Sequence, residues 1–183
     1  MTNATKVSAA SGVSIQNLLN DDQVADFVIN GYHIVEPQFP IEFHSQVYSE
    51  LEALPTNPGD EINKAVPAID DVYEHPAVRG ALSSLLGSDY TRAAHRHCHR
   101  NHPGTRSQVW HQDSLNIPTL DDGHGRVSDH VQSVLVMYYP QDVASNMGPT
   151  ALIPGSHLFT AAGDRNASHG NFRDQIVAVV PAV

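Results

Sequence analysis

The sequence is poor in cysteine, in basic residues and in long apolar stretches, and each shortage excludes a class of protein. Cys98 is the single cysteine of 183 residues, which excludes an internal disulfide framework and a zinc site built on thiolates. Ten Lys and Arg against twenty Asp and Glu give a net charge of −10, which disfavours nucleic-acid binding. No apolar run approaches the ~20 residues that cross a bilayer. The N-terminal residues also lack the apolar core of a secretory signal, so we expect a cytoplasmic protein without nucleic-acid or membrane partners.

The length and the N-terminal composition predict one domain behind a tail. Residues 1–18 are rich in Ser, Ala and Thr and predict a flexible N-terminal tail. The remaining residues, 19–183, suit a single domain that can bury a core without disulfides or metals to hold it together.

Three helices are predicted in the N-terminal half from apolar spacing and from end signals. Asn20 can cap the first helix, Gln23 stands at the capping-box position, and Gly31 supplies a stop. Pro76 can begin the third helix and Gly87 can close it. The helices are expected at residues 20–30, 40–54 and 76–86.

Beyond residue 89 the pattern changes to alternation with period two, which is typical of strands. Helices followed by strands indicate an α+β or mainly β fold rather than alternating βαβ units. The candidate strands are residues 90–100, 107–113, 131–139, 150–153 and 175–180.

Histidine is the residue type that is present in excess, and imidazole is both a metal ligand and a proton-transfer group. Seven of the twelve histidines fall between residues 95 and 130. These are His95, His97, His99, His102, His111, His124 and His130. On a strand the row at 95, 97 and 99 would share one face, and Arg96, Cys98 and Arg100 would share the other. The histidine face could line a pocket, the arginine face could attract anions, or one face could be merely solvated.

The tripeptide His111–Gln112–Asp113 carries the most specific chemistry. Residues two apart on a strand point to the same side, so an imidazole and a carboxylate would project in parallel. Together they are two corners of the 2-His-1-carboxylate triad that holds non-haem Fe(II). A hydrogen-bonded His–Asp pair on a sheet surface is the alternative.

Two motifs make the sequence resemble the phytanoyl-CoA dioxygenase family of Fe(II)/2-oxoglutarate oxygenases. The first is Trp110–His111–Gln112–Asp113, which matches the family's W-H-x-D strand. The second runs from Met147–Gly148–Pro149 to Pro154–Gly155–Ser156–His157 and resembles its N-G-P-x-x-x-x-P-G-S-H strand and turn, with Met147 at the first position. The resemblance covers roughly residues 20–160.

The resemblance implies a mainly β fold with flanking α-helices: a double-stranded β-helix (jelly roll), C-terminally incomplete and preceded by about three helices. It further implies that His111 and Asp113 bind Fe(II), with 2-oxoglutarate as cosubstrate. Such an enzyme hydroxylates a small organic substrate through a ferryl intermediate, and the carboxylate at 113 favours hydroxylation over halogenation. The sequence predicts neither the identity of the substrate nor the oligomeric state.

The third metal ligand departs from the family pattern. In the family a distal His and a 2-oxoglutarate-binding Arg follow the Pro-Gly-Ser-His turn on later strands. Here we expect both beyond residue 183, so that the domain lacks its C-terminal strands. His157 and His169 are the remaining candidates for a substitute third ligand.

Two other hypotheses remain open at the level of sequence. The chain could be an inactive fragment or a binding module of the same fold. It could also be a His-rich zinc or cupin-like metal protein, with one ligand from the 95–99 row.

Overall fold

The computed structural model describes residues 13–94, 96–111, 131–158 and 172–179. Within these ranges five α-helices precede two short strands, and short 3₁₀ turns lie at Ile15–Asn17, Gly59–Glu61 and Ser156–Leu158. The helices are α1 (Asp21–Asn30), α2 (Phe43–Ala53), α3 (Ile62–Ala65), α4 (Ala68–Glu74) and α5 (Pro76–Leu86). Strands β1 (Ala151–Leu152) and β2 (Ile176–Val177) pair antiparallel, with Ala151 opposite Val177 and Leu152 opposite Ile176.

The signals at the ends of α1 act as predicted. The Asn20 side chain accepts a 2.9 Å hydrogen bond from the Gln23 backbone N–H, and the Gln23 side chain accepts one of 3.0 Å from the Asn20 N–H. This capping box satisfies two of the N–H groups that a helix start leaves unpaired. Gly31 ends the helix in the left-handed conformation, with φ of 81°.

Short helices lie between the second and third predicted helices, where no element is predicted from the sequence. Residues 55–70 contain Pro55, Pro58 and Pro67, which read as breaks in the sequence. Pro67 instead caps the start of α4, and α3 lies just before it. Proline costs little at a helix start, since its missing N–H would be unpaired there anyway.

The prediction of a mainly β fold, a double-stranded β-helix (jelly roll), is wrong for the described part of the chain. Strands form only at β1 and β2, inside two of the five expected segments. Residues 90–94, 96–111 and 131–139 have no strand assignment. Side chains that alternate in type with period two indicate an extended backbone with two unlike faces. A strand also requires a neighbouring segment with which it can form a hydrogen-bonded ladder.

The core lies among α2, α3 and α4. Its buried members are Val47, Ile62, Val66 and Ile69. Phe43 and Leu51 from α2, Cys98 from the extended segment and Tyr138 pack against it. The helical half of the chain therefore supplies the core on which the later segments rest.

The segment 96–100 is anchored on this helical core by its even-numbered residues. Arg96 donates from its backbone N–H to the Asp60 carboxylate at 2.8 Å. The Arg100 guanidinium donates to the Leu51 and Leu54 carbonyl oxygens at the C-terminal end of α2, where positive charge is favourable. Even-numbered residues are half-buried and His97 and His99 are exposed, so the arginine face is the inward one.

The first described residues pack on α5. The 3₁₀ turn Ile15–Asn17 contacts this helix, and the Leu19 N–H donates to the Ser84 hydroxyl at 2.9 Å. A Cβ at Gly80 would lie 1.7 Å from the Asn17 carbonyl oxygen, so only glycine permits this approach. The boundary of the N-terminal tail at residue 18 stays a prediction, as residues 1–12 lie outside the described ranges. Among the helices that the structure describes, none has the length and apolarity to span a bilayer.

Candidate functional site

His111 is the last residue of the described range 96–111, and its ring is exposed. Its Nδ1 atom lies 2.7 Å from the carbonyl oxygen of Val109. With the proton on Nδ1, the ring donates to that carbonyl, and the lone pair that could bind a metal belongs to Nε2. A backbone carbonyl that fixes the tautomer in this way is a usual companion of metal-binding histidines. Asp113, the second predicted ligand, lies outside the described residues.

The residue before His111 links this segment to the end of the described chain. The Trp110 and Phe172 rings meet edge to face, with centroids 5.2 Å apart and planes at 86°. Phe172 stands four residues before β2, which pairs with β1. The two family motifs are therefore connected in space through this aromatic pair and the two-stranded sheet.

The Pro154–Gly155–Ser156–His157 turn after β1 rests on the C-terminal end of α1. The Gly155 N–H donates to the Asn30 carbonyl oxygen at 2.9 Å, and His157 Nε2 donates to that of Val28 at 2.9 Å. These bonds satisfy carbonyl oxygens that the end of a helix leaves unpaired. His157 therefore works as a helix-end partner, while His169, the other candidate third ligand, lies outside the described residues.

His97 and His99 are adjacent exposed rings, with centroids 4.5 Å apart and planes at 70°. Their shared face agrees with the period-two reading, although the segment is not a strand. His95, His124 and His130 lie outside the described residues. His102 is exposed within the turn closed by the 3.0 Å bond from the Thr105 N–H to its carbonyl oxygen.

A histidine–tyrosine pair that sequence reasoning missed joins α2 to the segment 131–139. His44 Nδ1 lies 2.7 Å from the Tyr138 hydroxyl, and His44 Nε2 is buried without a hydrogen-bond partner among the residues that the structure describes. Burial lowers the pKa of His44 and raises the pKa of Tyr138 to about 12. Phe39 and Phe43 complete an aromatic box around the imidazole. The two residues stand 94 positions apart, and no sequence pattern pairs them.

The donor chemistry of the predicted pair fits Fe(II). Imidazole nitrogen and carboxylate oxygen are its usual protein ligands in non-haem oxygenases. Within the described ranges no three His, Cys, Asp or Glu side chains come together as a metal centre. His111 is thus the one predicted ligand whose surroundings the structure shows, and the exposed histidines of the described residues assemble no three-ligand zinc site.

Comparison with known proteins gives one match. The family model described as phytanoyl-CoA dioxygenase (PhyH) matches residues 13–175, which is most of the chain. No curated protein and no solved structure matches this sequence.

Proposed function

Because this chain belongs to the phytanoyl-CoA dioxygenase family, a family of Fe(II)/2-oxoglutarate-dependent oxygenases, we propose that it hydroxylates a small organic substrate. When bound, the ferrous ion supplies O₂ activation, and 2-oxoglutarate is oxidised to succinate and CO₂ as the substrate is hydroxylated. His111 and Asp113 are the two metal ligands that we assign to the chain. Neither a nucleic acid nor a membrane is part of this proposal.

The observation that carries the proposal is the tautomer of the His111 ring. Its Nδ1 is 2.7 Å from the carbonyl oxygen of Val109, which favours the tautomer with the lone pair on Nε2. The ring is exposed in the described part of the chain. Asp113 follows at the spacing that places a carboxylate on the same side of an extended chain.

Other residues of the segment that carries His111 have structural roles and need not take part in the reaction. Trp110 packs on Phe172 and orders the segment that carries His111. Arg96 and Arg100 fasten the beginning of the same segment to the helical core. An immobile backbone is what a metal site requires, because ligands must be held close to their productive geometry.

The test is the coupled loss of 2-oxoglutarate and formation of succinate in the presence of Fe(II), O₂ and a panel of candidate substrates. We expect the full-length protein to form succinate and its His111→Ala variant to lose at least ~99% of that activity, since a missing ligand removes the metal rather than weakening one contact. A His111→Ala variant with full turnover would contradict the proposal.

A matched control separates the proposed site from other histidines. His97 and His99 form an exposed pair that could hold adventitious metal. The double variant His97→Ala/His99→Ala is therefore expected to keep its turnover. Failure of the unmodified chain to consume 2-oxoglutarate with any substrate would favour a binding module instead.

A further inference from the structure

The aromatic contact beside His111 has a geometry that holds a ring in place. Trp110 is half-buried, and its ring meets that of Phe172 edge to face at 5.2 Å between centroids. Such pairs are attractive beyond the area they bury, because the positive ring edge faces the negative ring face. The contact joins positions 62 residues apart in the sequence, so it is a tertiary link rather than a local one.

Phe172 is itself held firmly on its own side of the contact. Its N–H donates to the Gln175 side-chain oxygen at 2.7 Å, and its carbonyl oxygen accepts from the Gln175 N–H at 3.3 Å. The turn leads directly into β2, where the Ala178 N–H also donates to the Thr150 carbonyl oxygen at 2.8 Å. These bonds hold the backbone from which the Phe172 ring reaches the indole.

Successive side chains on an extended backbone leave from opposite sides. A fixed indole at position 110 consequently sets the direction in which the imidazole at 111 projects. We propose that Phe172 is a positioning residue for the metal ligand His111 and acts through Trp110, an inference that rests on the proposed function. Outer residues that orient a metal ligand typically change metal affinity by about 10–100-fold when they are removed.

The first experiment tests the contact without any metal. Trp110 is the single tryptophan of the chain, so indole fluorescence reports on this position alone. We expect Phe172→Ala to shift the emission to longer wavelength and to increase quenching by acrylamide, and Phe172→Tyr to leave both unchanged. Val179→Ala, which shortens another exposed apolar side chain of the same region, is the matched control and should also match the unmodified chain. Unchanged emission and quenching in Phe172→Ala would overturn the inference.

The second experiment tests the consequence for the ligand. Anaerobic equilibrium dialysis with Fe(II) alone gives the dissociation constant for each variant. We expect about tenfold weaker binding for Phe172→Ala and unmodified affinity for Phe172→Tyr and Val179→Ala. A Phe172→Ala variant with altered emission and unaltered affinity would overturn the positioning role alone. An unmodified chain that binds no Fe(II) would contradict the proposed function and the positioning role together.

Discussion

At the scale of single residues, the contact between Gly31 and His157 connects the end of α1 to the turn that follows β1. Gly31 has a φ of +81°, and a Cβ there would lie 2.2 Å from His157 Nδ1. The imidazole fills the space beside the helix end while its Nε2 bonds to the Val28 carbonyl oxygen. The histidine of the Pro-Gly-Ser-His motif thereby holds its turn against α1.

Gly31→Ala is expected to destabilise the chain for two reasons that add together. The left-handed backbone costs a residue with a Cβ about 1–2 kcal/mol, and displacement of the His157 ring adds a steric cost of similar size, for a total of about 3 kcal/mol. Urea unfolding followed by circular dichroism measures the loss. Gly59→Ala is the matched control, because Gly59 also has positive φ, at 56°, but nothing lies within 4 Å of its Cβ position.

The steric part of the loss can be isolated by a double variant. Gly31→Ala combined with His157→Ala removes the ring that the new methyl group would strike. We therefore expect His157→Ala to lower the free energy of unfolding by less in the Gly31→Ala background than it does alone. Equal losses for Gly31→Ala and Gly59→Ala would show that His157 does not occupy the space beside Gly31.

At the same scale, the sequence predicted Gly31 as a helix stop and His111 as a ligand, yet it predicted none of their partners. A stop signal is local, since it depends on the backbone of one residue. The ring of His157 and the ring of Phe172 reach their partners through tertiary folding. A single sequence contains no periodicity that links such distant positions.

At the scale of elements, the joint between α2 and the segment 131–139 depends on a polar pair in apolar surroundings. His44 and Tyr138 share a 2.7 Å hydrogen bond, and the rings of Phe39 and Phe43 lie against the imidazole. Burial penalises the charged form of each partner. The pair therefore stabilises the joint only while both side chains are neutral.

We expect stability to fall as the pH drops below 6.5, the ordinary pKa of histidine. The folded-state pKa of His44 is lowered, so between that value and 6.5 the unfolded chain binds more protons than the folded chain, and its population grows. The stabilising contribution of the neutral His44–Tyr138 pair is fully present above pH 6.5. It is lost as the pH falls from 6.5 through the lowered folded-state pKa of His44. Urea midpoints measured at several pH values should show a steeper acid slope for the unmodified chain than for His44→Gln.

His102→Gln is the control for that comparison, because it removes an exposed histidine from a turn. It should retain the steep acid slope of the unmodified chain. An acid slope in His44→Gln as steep as in the unmodified chain would show that His44 is not the group responsible.

Elements with local signals were predicted well, and elements that need partners were not. The signals for the capping box of α1 and for the start of α5 at Pro76 each lie within a few neighbouring residues. The alternation over 90–100 separated an arginine face from a histidine face without fixing which of them is inward, and the structure shows that the arginine face is the inward one. It did not imply a strand, because within the described ranges that segment is held by Asp60 and by the end of α2 rather than by a ladder.

At the scale of the whole molecule, family and architecture were predicted with different success. The family followed from two short motifs in the right order, and the family model over residues 13–175 confirms it. The jelly roll was an expectation carried by the resemblance, and the five helices and two-stranded sheet of the described residues contradict it. Short motifs depend on the chemistry of a few side chains, whereas a sheet depends on long-range pairing along many residues.

The central claim is that the side chains at positions 111 and 113 bind one ferrous ion together. The most direct measurement is the Fe(II) dissociation constant of the unmodified chain, His111→Ala, Asp113→Ala and the double variant, obtained by anaerobic dialysis. Two ligands of one ion are coupled, so we expect Asp113→Ala to weaken binding at least tenfold in the unmodified chain and far less when His111 is already absent. Losses that are equal in both backgrounds, or no loss at all, would contradict a shared ion.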